Sequence, residues 1–370
     1  MKEPGVRPSA TGRPTLRTRR TVIGAATLCA AISLVGTACS SAASSSPAAS
    51  STSSPASADP ASAPQQHYSI TVGDAAATYA EAPYVVVEKN GQLAAHGITS
   101  KDVLLSSSNT LLAALVSGGI DFGITNSFGV LSARAQGVPV VAVCGLYEGV
   151  PGLALVVSPS TMKSLNLVAG DVNGDIKKLK GMTIGVNSPT STGGKILTGL
   201  SKAAGLGSSW VKEVSIASAD DVEALAHGEI AGYFEDVPIP QESIANHTGV
   251  IAFDTSKVPE LSGIQYDVIA TSESFLKSNP QEIKQFLTAV AEGQTDLAAK
   301  QPAALQEIGG IFNQGLPASV IDDSATVGVD TSCSMPAAQW QAAAAVLNKF
   351  GLASKTISPS AVSSAYQSGL

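Results

Sequence analysis

From Tyr68 onward, short apolar runs alternate with stretches that show helical spacing. Tyr68–Gly73, Val103–Leu105, Ile120–Ile124 and Val138–Val143 read as strands. Between them, Ala82–Asn90 reads as a helix with Val85, Val86 and Lys89 in one turn. Thr110–Ser117 is a second, with Leu111, Leu112 and Leu115 on one face. The same order returns downstream: strand Met182–Val186, helix Thr192–Ala204, strand Val211–Ile216, helix Asp220–His227 and strand Ile230–Phe234. In the first of these helices Ile196, Leu197, Leu200 and Ala203 recur at helical intervals. The remaining chain is mostly helical after a strand at Tyr266–Thr271. Asn279-Pro280-Gln281-Glu282 opens a helix whose buried stripe is Ile283, Phe286, Leu287 and Val290. Pro336–Phe350 is another, with Trp340 and Leu347 on its apolar side.

The repetition extends to the letters. Ala114-Leu115-Val116-Ser117-Gly118-Gly119-Ile120 matches Ala224-Leu225-Ala226-His227-Gly228-Glu229-Ile230. In each copy a helix ends at Gly, which tolerates a left-handed cap, and a strand follows at once. Gly97 and Gly205 precede their copies by a similar interval. Two βαβαβ units predict two α/β lobes with parallel sheets.

Parallel α/β sheets bind ligands beyond the carboxyl ends of their strands, beside helix N-termini. In this sequence those places are Gly73–Tyr79, Ser106–Thr110, Thr125–Ser127, Asn187–Gly194 and Glu235–Pro238. Four of the five are crowded with hydroxyls and amides. Free N–H groups at a helix start attract anions, and hydroxyls add hydrogen bonds of about 0.5–1.5 kcal/mol each. For Ser108 or Asn109, and for Ser191 or Thr192, a plain helix-capping role competes with ligand binding. Their occurrence in both lobes favours a site. Glu235 and Asp236 are adjacent, and adjacent strand residues point to opposite faces, so one of the two is expected to line a cleft.

The N-terminus changes the picture of where the protein works. Arg13, Arg17, Arg19 and Arg20 precede an uncharged stretch, Thr21–Ala38, interrupted by Gly24 and Gly36. That is the pattern of a signal peptide over residues 1–38 rather than a membrane span. Thr18-Arg19-Arg20-Thr21-Val22-Ile23 resembles a twin-arginine export signal, with general secretion the other route. Gly36-Thr37-Ala38-Cys39 resembles a bacterial lipobox, which makes Cys39 the lipidation candidate; Gly36 departs from the usual Leu. Plain secretion with an inert Cys39 is the alternative. Residues 39–66, rich in Ser, Ala and Pro, cannot bury enough apolar surface to fold and read as a tether with a reach of about 25–30 Å.

Loss of residues 1–38 removes six basic groups and one acidic group, leaving 16 basic against 28 acidic, a balance of −12. Such a chain repels nucleic acid and anionic lipid surfaces. Of the cysteines outside the leader and lipobox, Cys144 and Cys333 remain. In an oxidising compartment they can pair, or they can stay as two separately buried thiols.

Signals of catalysis are poor. His67, His96, His227 and His247 are scattered without metal-ligand spacing, and surface or cap roles are expected for them. No G-x-S-x-G elbow occurs. Gly193-Gly194-Lys195 lacks the upstream Gly of a phosphate loop, and Ile196 stands where Ser or Thr is needed.

Glu81–Leu93, Ala113–Asn126, Leu179–Val186 and Ser274–Pro280 together resemble the solute-binding proteins for aliphatic sulfonates, taurine, nitrate and thiamine pyrimidine precursors. The likeness covers most of residues 68–300 in the same order. It implies a type II periplasmic-binding-protein fold, two βαβ lobes joined by a hinge around a ligand cleft. Lobe 1 would take residues 67–157 and 263–370, and lobe 2 residues 158–262. The ligand-binding positions implied are Asp74, Ala75, Thr78, Tyr79, Ser107, Ser108, Asn109, Thr110, Thr125, Asn126, Ser127, Asn187, Ser188, Thr190, Ser191, Thr192, and Glu235 or Asp236. Relatives often place Trp before the last of these, whereas Phe234 stands here; the acid beside it favours a ligand with an amine or N–H donors. The implied function is capture of a small polar solute, sulfonate- or taurine-like or aminopyrimidine-like, for an ABC permease, by a lipid-anchored monomer without cofactor or metal. Two alternatives remain open: an enzyme resembling those of thiamine-pyrimidine synthesis or the menaquinone pathway, and a sensory or assembly lipoprotein.

Overall fold

A computed structural model describes residues 66–370, apart from 75–78, 106, 151, 190, 208, 313–316, 327 and 368–369. The leader expected at 1–38, the lipidation candidate Cys39 and the tether expected up to residue 66 lie outside the described residues, residue 66 apart. Among the described residues, ten strands form two five-stranded sheets. The first has the order β2-β1-β3-β10-β4, from β1 (Tyr68–Asp74), β2 (Ile98–Leu104), β3 (Phe122–Asn126), β4 (Val140–Gly145) and β10 (Asp267–Ser272). The second has the order β7-β6-β8-β5-β9, from β5 (Ala154–Val157), β6 (Thr183–Val186), β7 (Lys212–Ser215), β8 (Gly232–Glu235) and β9 (Val250–Asp254).

The duplicated letters sit at equivalent places in the two sheets. Gly118 and Gly228 both take left-handed backbone, with φ of 74° and 72°. In each copy the next residue's N–H reaches back to the helix: Gly119 to the Ala114 carbonyl at 2.8 Å, Glu229 to the Ala224 carbonyl at 3.0 Å. This closure turns the chain straight from helix into strand, delivering Phe122 to β3 and Gly232 to β8.

The sheets are mixed, not wholly parallel as the repeat predicted. β1 is parallel to β2 and β3, and β6 is parallel to β7 and β8. β10 runs antiparallel to β3 and β4, and β5 antiparallel to β8 and β9. These two strands carry the chain between the sheets. A chain arriving from one sheet enters the other at its carboxyl-end face, so it must run against the parallel strands already there. β5 joins the second sheet although it precedes Ser158, where the second lobe was expected to open.

The two crossovers lie side by side. Tyr266 N–H donates to the Tyr147 carbonyl at 3.1 Å, and Gly149 N–H to the Ile264 carbonyl at 2.7 Å. A disulfide joins Cys144 at the end of β4 to Cys333, closing a loop of 189 residues in sequence. The helix Ala337–Phe350 then packs against both Ser127–Ala135, from the first sheet's side, and Thr192–Ala203, from the second. Phe350 presses so closely on Gly199 that an added Cβ there would lie 2.6 Å from the ring. Among the described residues no helix is long and apolar enough to cross a membrane.

Candidate functional site

The carboxyl ends of the parallel strands provide the site's backbone. β1 ends at Asp74, which is hydrogen-bonded to Glu81 in the turn beyond. β3 ends at Thr125 and Asn126. The Asn126 side chain accepts from Gly129 N–H at 3.0 Å and so caps the helix Ser127–Ala135. In the second sheet β6 ends at Val186, and Asn187 follows. Ser191 caps the helix Thr192–Ala203, accepting from Gly194 N–H at 3.3 Å and donating to the Ser188 carbonyl at 2.6 Å. Gly193 permits that helix to start directly above β8: a Cβ here would sit 2.8 Å from the Phe234 carbonyl oxygen. β8 ends at Glu235. Glu235 accepts from Asn187 N–H at 3.1 Å and from Asp236 N–H at 3.4 Å. Asp236 accepts from Val237 N–H at 2.8 Å.

Between these strand ends lies a cavity of about 290 Å³. It is lined from the first sheet's side by Asp74, Tyr79, Ser108, Thr125 and Asn126, and from the second by Asn187, Ser191, Thr192, Glu235 and Asp236. All ten belong to the positions expected from sequence. Both acids line it, contrary to the expectation of one: β8 stops at Glu235, so the alternation rule that would turn Asp236 away no longer applies.

Five expected positions are not in the lining. Ser107 is the helix cap, accepting from Thr110 N–H at 3.2 Å, and Asn109 and Thr110 are exposed. The cap is therefore Ser107, one residue ahead of the Ser108 or Asn109 that the capping alternative named. Ser127 is fully buried and donates to the Gln265 carbonyl at 2.5 Å, tying its helix to the returning crossover. Ser188 supplies the carbonyl that orients Ser191. Ala75, Thr78 and Thr190 lie outside the described residues.

The crossovers contribute residues that the strand-end rule did not find. Tyr147, Leu153, Tyr266 and Asp267 line the cavity, joined by Ser218 and Phe234 of the second sheet's side and Ser324 from the C-terminal region. Tyr147 donates its hydroxyl to the Ala325 carbonyl at 3.0 Å, leaving its ring as a wall. The Tyr266 hydroxyl is hydrogen-bonded to Thr192, which links the two sides. A signal was present in Gln265-Tyr266-Asp267, an acid and an aromatic at the start of a strand. The strand-end rule looks only at carboxyl termini, and β10 runs the other way.

The site is acidic. Asp74, Glu235, Asp236 and Asp267 line it, and no described lining residue is Lys, Arg or His. Burial pushes the Asp236 carboxyl up to about 7. Burial, then the nearby Asp236 and Asp74, hold Asp267 well above the usual carboxylate range. Burial also raises Glu235, against hydrogen bonds from Asp236, Ser218 and Asn187 that favour its charged form. Glu81 rises to about 9 through burial and its hydrogen bond to Asp74, so it acts as the donor of that pair at neutral pH. Thr125 is buried and its hydroxyl has no hydrogen-bond partner. Among the described residues no group of three or more His, Cys, Asp or Glu is placed to hold a metal ion.

Two mixed α/β sheets of matching order, exchanged by two crossovers around a polar cavity, define a two-lobed periplasmic-binding-protein fold. The chain belongs to the NMT1/THI5-like family, whose model matches residues 80–304. The riboflavin-binding protein RibY of Chloroflexus aurantiacus is 26% identical over 232 residues, which cover 60% of this chain and 60% of RibY. The alkanesulfonate-binding protein SsuA of Xanthomonas axonopodis pv. citri, solved with MOPS bound, superposes with a TM-score of 0.63 at 17% identity, covering 83% of this chain and all of that one. A ligand-binding component of an ABC-type import system from Staphylococcus aureus, solved with zinc bound, gives 0.62 at 16% identity, with 80% and 98% covered.

Proposed function

We propose that this protein is the extracytoplasmic solute-binding component of an ABC importer, capturing a small polar solute between its two lobes. The observation that carries this reading is the cavity itself. It is small, polar, and lined by residues from both sheets. Binding-protein relatives of the same fold support it. A solute touching both sides stabilises the state in which they are together, and that state is what a permease can recognise.

Residues 1–38 then serve as the export signal and Cys39 as the lipid anchor, with 39–66 as the tether. The protein acts as a monomer, without cofactor, beside the permease subunits. Cys39→Ser should move the protein from the membrane fraction to the soluble fraction when expressed in its exported form. Retention in the membrane fraction would contradict the anchor.

Thermal denaturation with a panel of solutes tests the main reading. The panel is taurine, ethanesulfonate, nitrate, riboflavin, an aminomethylpyrimidine and simple amines. At 100 times the dissociation constant a one-site ligand stabilises by ~2.7 kcal/mol, so a binder should raise Tm in a saturable way. The raised carboxyls in and beside the cavity, Asp236, Asp267 and Glu81, are the features that favour an enzyme instead. Chemical conversion of a bound solute would select that reading; its return unchanged would select transport.

A further inference from the structure

Resting on the reading that the cavity is the solute site, we propose that the captured solute is a cation. Its positive group, a protonated amine or a similar N–H-rich centre, would be held by carboxylates from both walls.

Asp74 and Asp267 come from the first sheet, and Glu235 and Asp236 from the end of β8 in the second. No cation among the described lining residues offsets them. The sequence supplies none in the neighbouring positions 75–78, 106 and 190 either, which are Ala, Ala, Ala, Thr, Ser and Thr. The groups on the two walls already sense one another: Asp236 acts on Asp267, Tyr147 and Tyr266. Bringing such walls together repels unless something positive lies between them.

Helix starts offer an anion less than their full set of N–H groups here, because three beside the lining have each committed one to a side chain of their own: Thr110 to Ser107, Gly129 to Asn126, and Gly194 to Ser191. A sulfonate of the kind bound in the Xanthomonas neighbour would enter as one more negative charge. Thr125 supplies an independent sign of a guest. It is only 8% exposed, lines the cavity, and its hydroxyl oxygen has no partner. A buried hydroxyl without a partner is uncommon, and a solute's polar group would complete it.

Binding should also move protons. The ionisable groups facing the cavity or its edge are Asp74, Glu81, Glu235, Asp236, Asp267 and the buried tyrosines 79, 147 and 266. Asp221 lies behind them and feels the charge of Glu235, which helps keep its own proton in place. Without a guest, Asp236 holds its proton below about pH 7. A cation stabilises the carboxylate and expels that proton. Affinity therefore rises as pH rises through 7 and falls as Asp236 protonates.

Calorimetric titration of the purified protein tests this with agmatine, benzylamine and thiamine as cationic probes. Ethanesulfonate and nitrate are the anionic probes, and riboflavin is the neutral one. Saturable heat is expected from a cationic probe and none from the anions at 1 mM or below, about the weakest useful affinity for a small solute. Between pH 5.5 and 8 the cation's affinity should rise about tenfold, with proton release seen as heat that varies with the buffer. Asp236→Asn should lower that affinity at least about tenfold and flatten the pH response in a protein that still unfolds cooperatively. Asp267→Asn serves as the second variant if the first misfolds. Binding of ethanesulfonate, nitrate or riboflavin with no cation bound would overturn the charge assignment and leave the solute-binding reading standing. A folded protein that binds none of the probes would overturn both.

Discussion

Thr125 and Asp221 are two buried polar side chains that face opposite fates. The Thr125 hydroxyl opens on the cavity and lacks a partner. Removing it leaves the folded protein little changed, so Thr125→Val should keep Tm within about 2 °C while weakening solute binding by roughly 0.5–1.5 kcal/mol, or about three- to tenfold. Calorimetry beside thermal denaturation would separate the two effects. Asp221 is fully buried behind the site, against the β6 backbone, and neither of its oxygens has a partner. Burial, then Glu235 and Asp220, push its carboxyl up to about 8. The folded state thus keeps a proton that the unfolded chain releases near pH ~4. The stability this carries is complete below that pH and is lost as pH rises toward 8. Asp221→Asn removes the loss, so its advantage over wild type should grow between pH 5 and pH 8 by at least ~1 kcal/mol. Chemical unfolding at the two pH values measures it, and a gap independent of pH would refute it. None of this was legible in the sequence, where Asp220 and Asp221 read only as the opening of a helix. Burial of a charge depends on what the fold packs over it, and no local pattern carries that information.

At the scale of elements, the helices with a long apolar stripe were plain, whereas Ser127–Ala135, Val172–Lys178, Ile239–Ala245 and several strands were not read. Ile98–Leu104 showed only its last two residues because it is an edge strand: Thr99, Lys101 and Asp102 are exposed, which breaks the alternation. β9 was not read either, and β5 passed unnoticed for the opposite reason. Ala154–Val157 is buried throughout, and a short all-apolar run has no period to read. The crossover residues were absent from the expected site for another reason: Tyr266 and Asp267 open a strand that was read, but only carboxyl ends were searched, and the end of β4 before Tyr147 was not among them. Two element contacts can be tested. Gly193→Val pushes a side chain into the Phe234 carbonyl, so the helix over β8 must shift. It should cost about 1–3 kcal/mol in stability and abolish solute binding at the same time, as read by urea unfolding and titration. The Cys144–Cys333 disulfide holds β4 to the segment ahead of the helix that spans both sheets. Replacing both cysteines with Ala should lower stability by about 2–5 kcal/mol, and an unchanged urea midpoint would show the link to be dispensable.

For the whole molecule, the duplicated letters at Gly118 and Gly228 made the two-lobed plan readable before any coordinates. The strand-end rule placed ten of the cavity's residues. What the repeat does not encode is the connection between its copies. The two antiparallel strands and the C-terminal helix that touches both sides arise outside the repeated units, from contacts across long sequence separations. The acidic character of the gap is likewise a property of the assembled pair. Asp236 and Asp267 sit on different sheets and 31 positions apart in the chain, yet each lies within the other's field.

That both walls hold the same guest is best tested by measuring one solute's dissociation constant, by calorimetry, for wild type, Asp267→Asn and Asp236→Asn under one condition. Each single change, one per wall, is predicted to weaken binding at least about tenfold, the scale of one lost charge-assisted hydrogen bond. A solute that binds saturably yet ignores the change in either wall would show that it sits on one lobe alone.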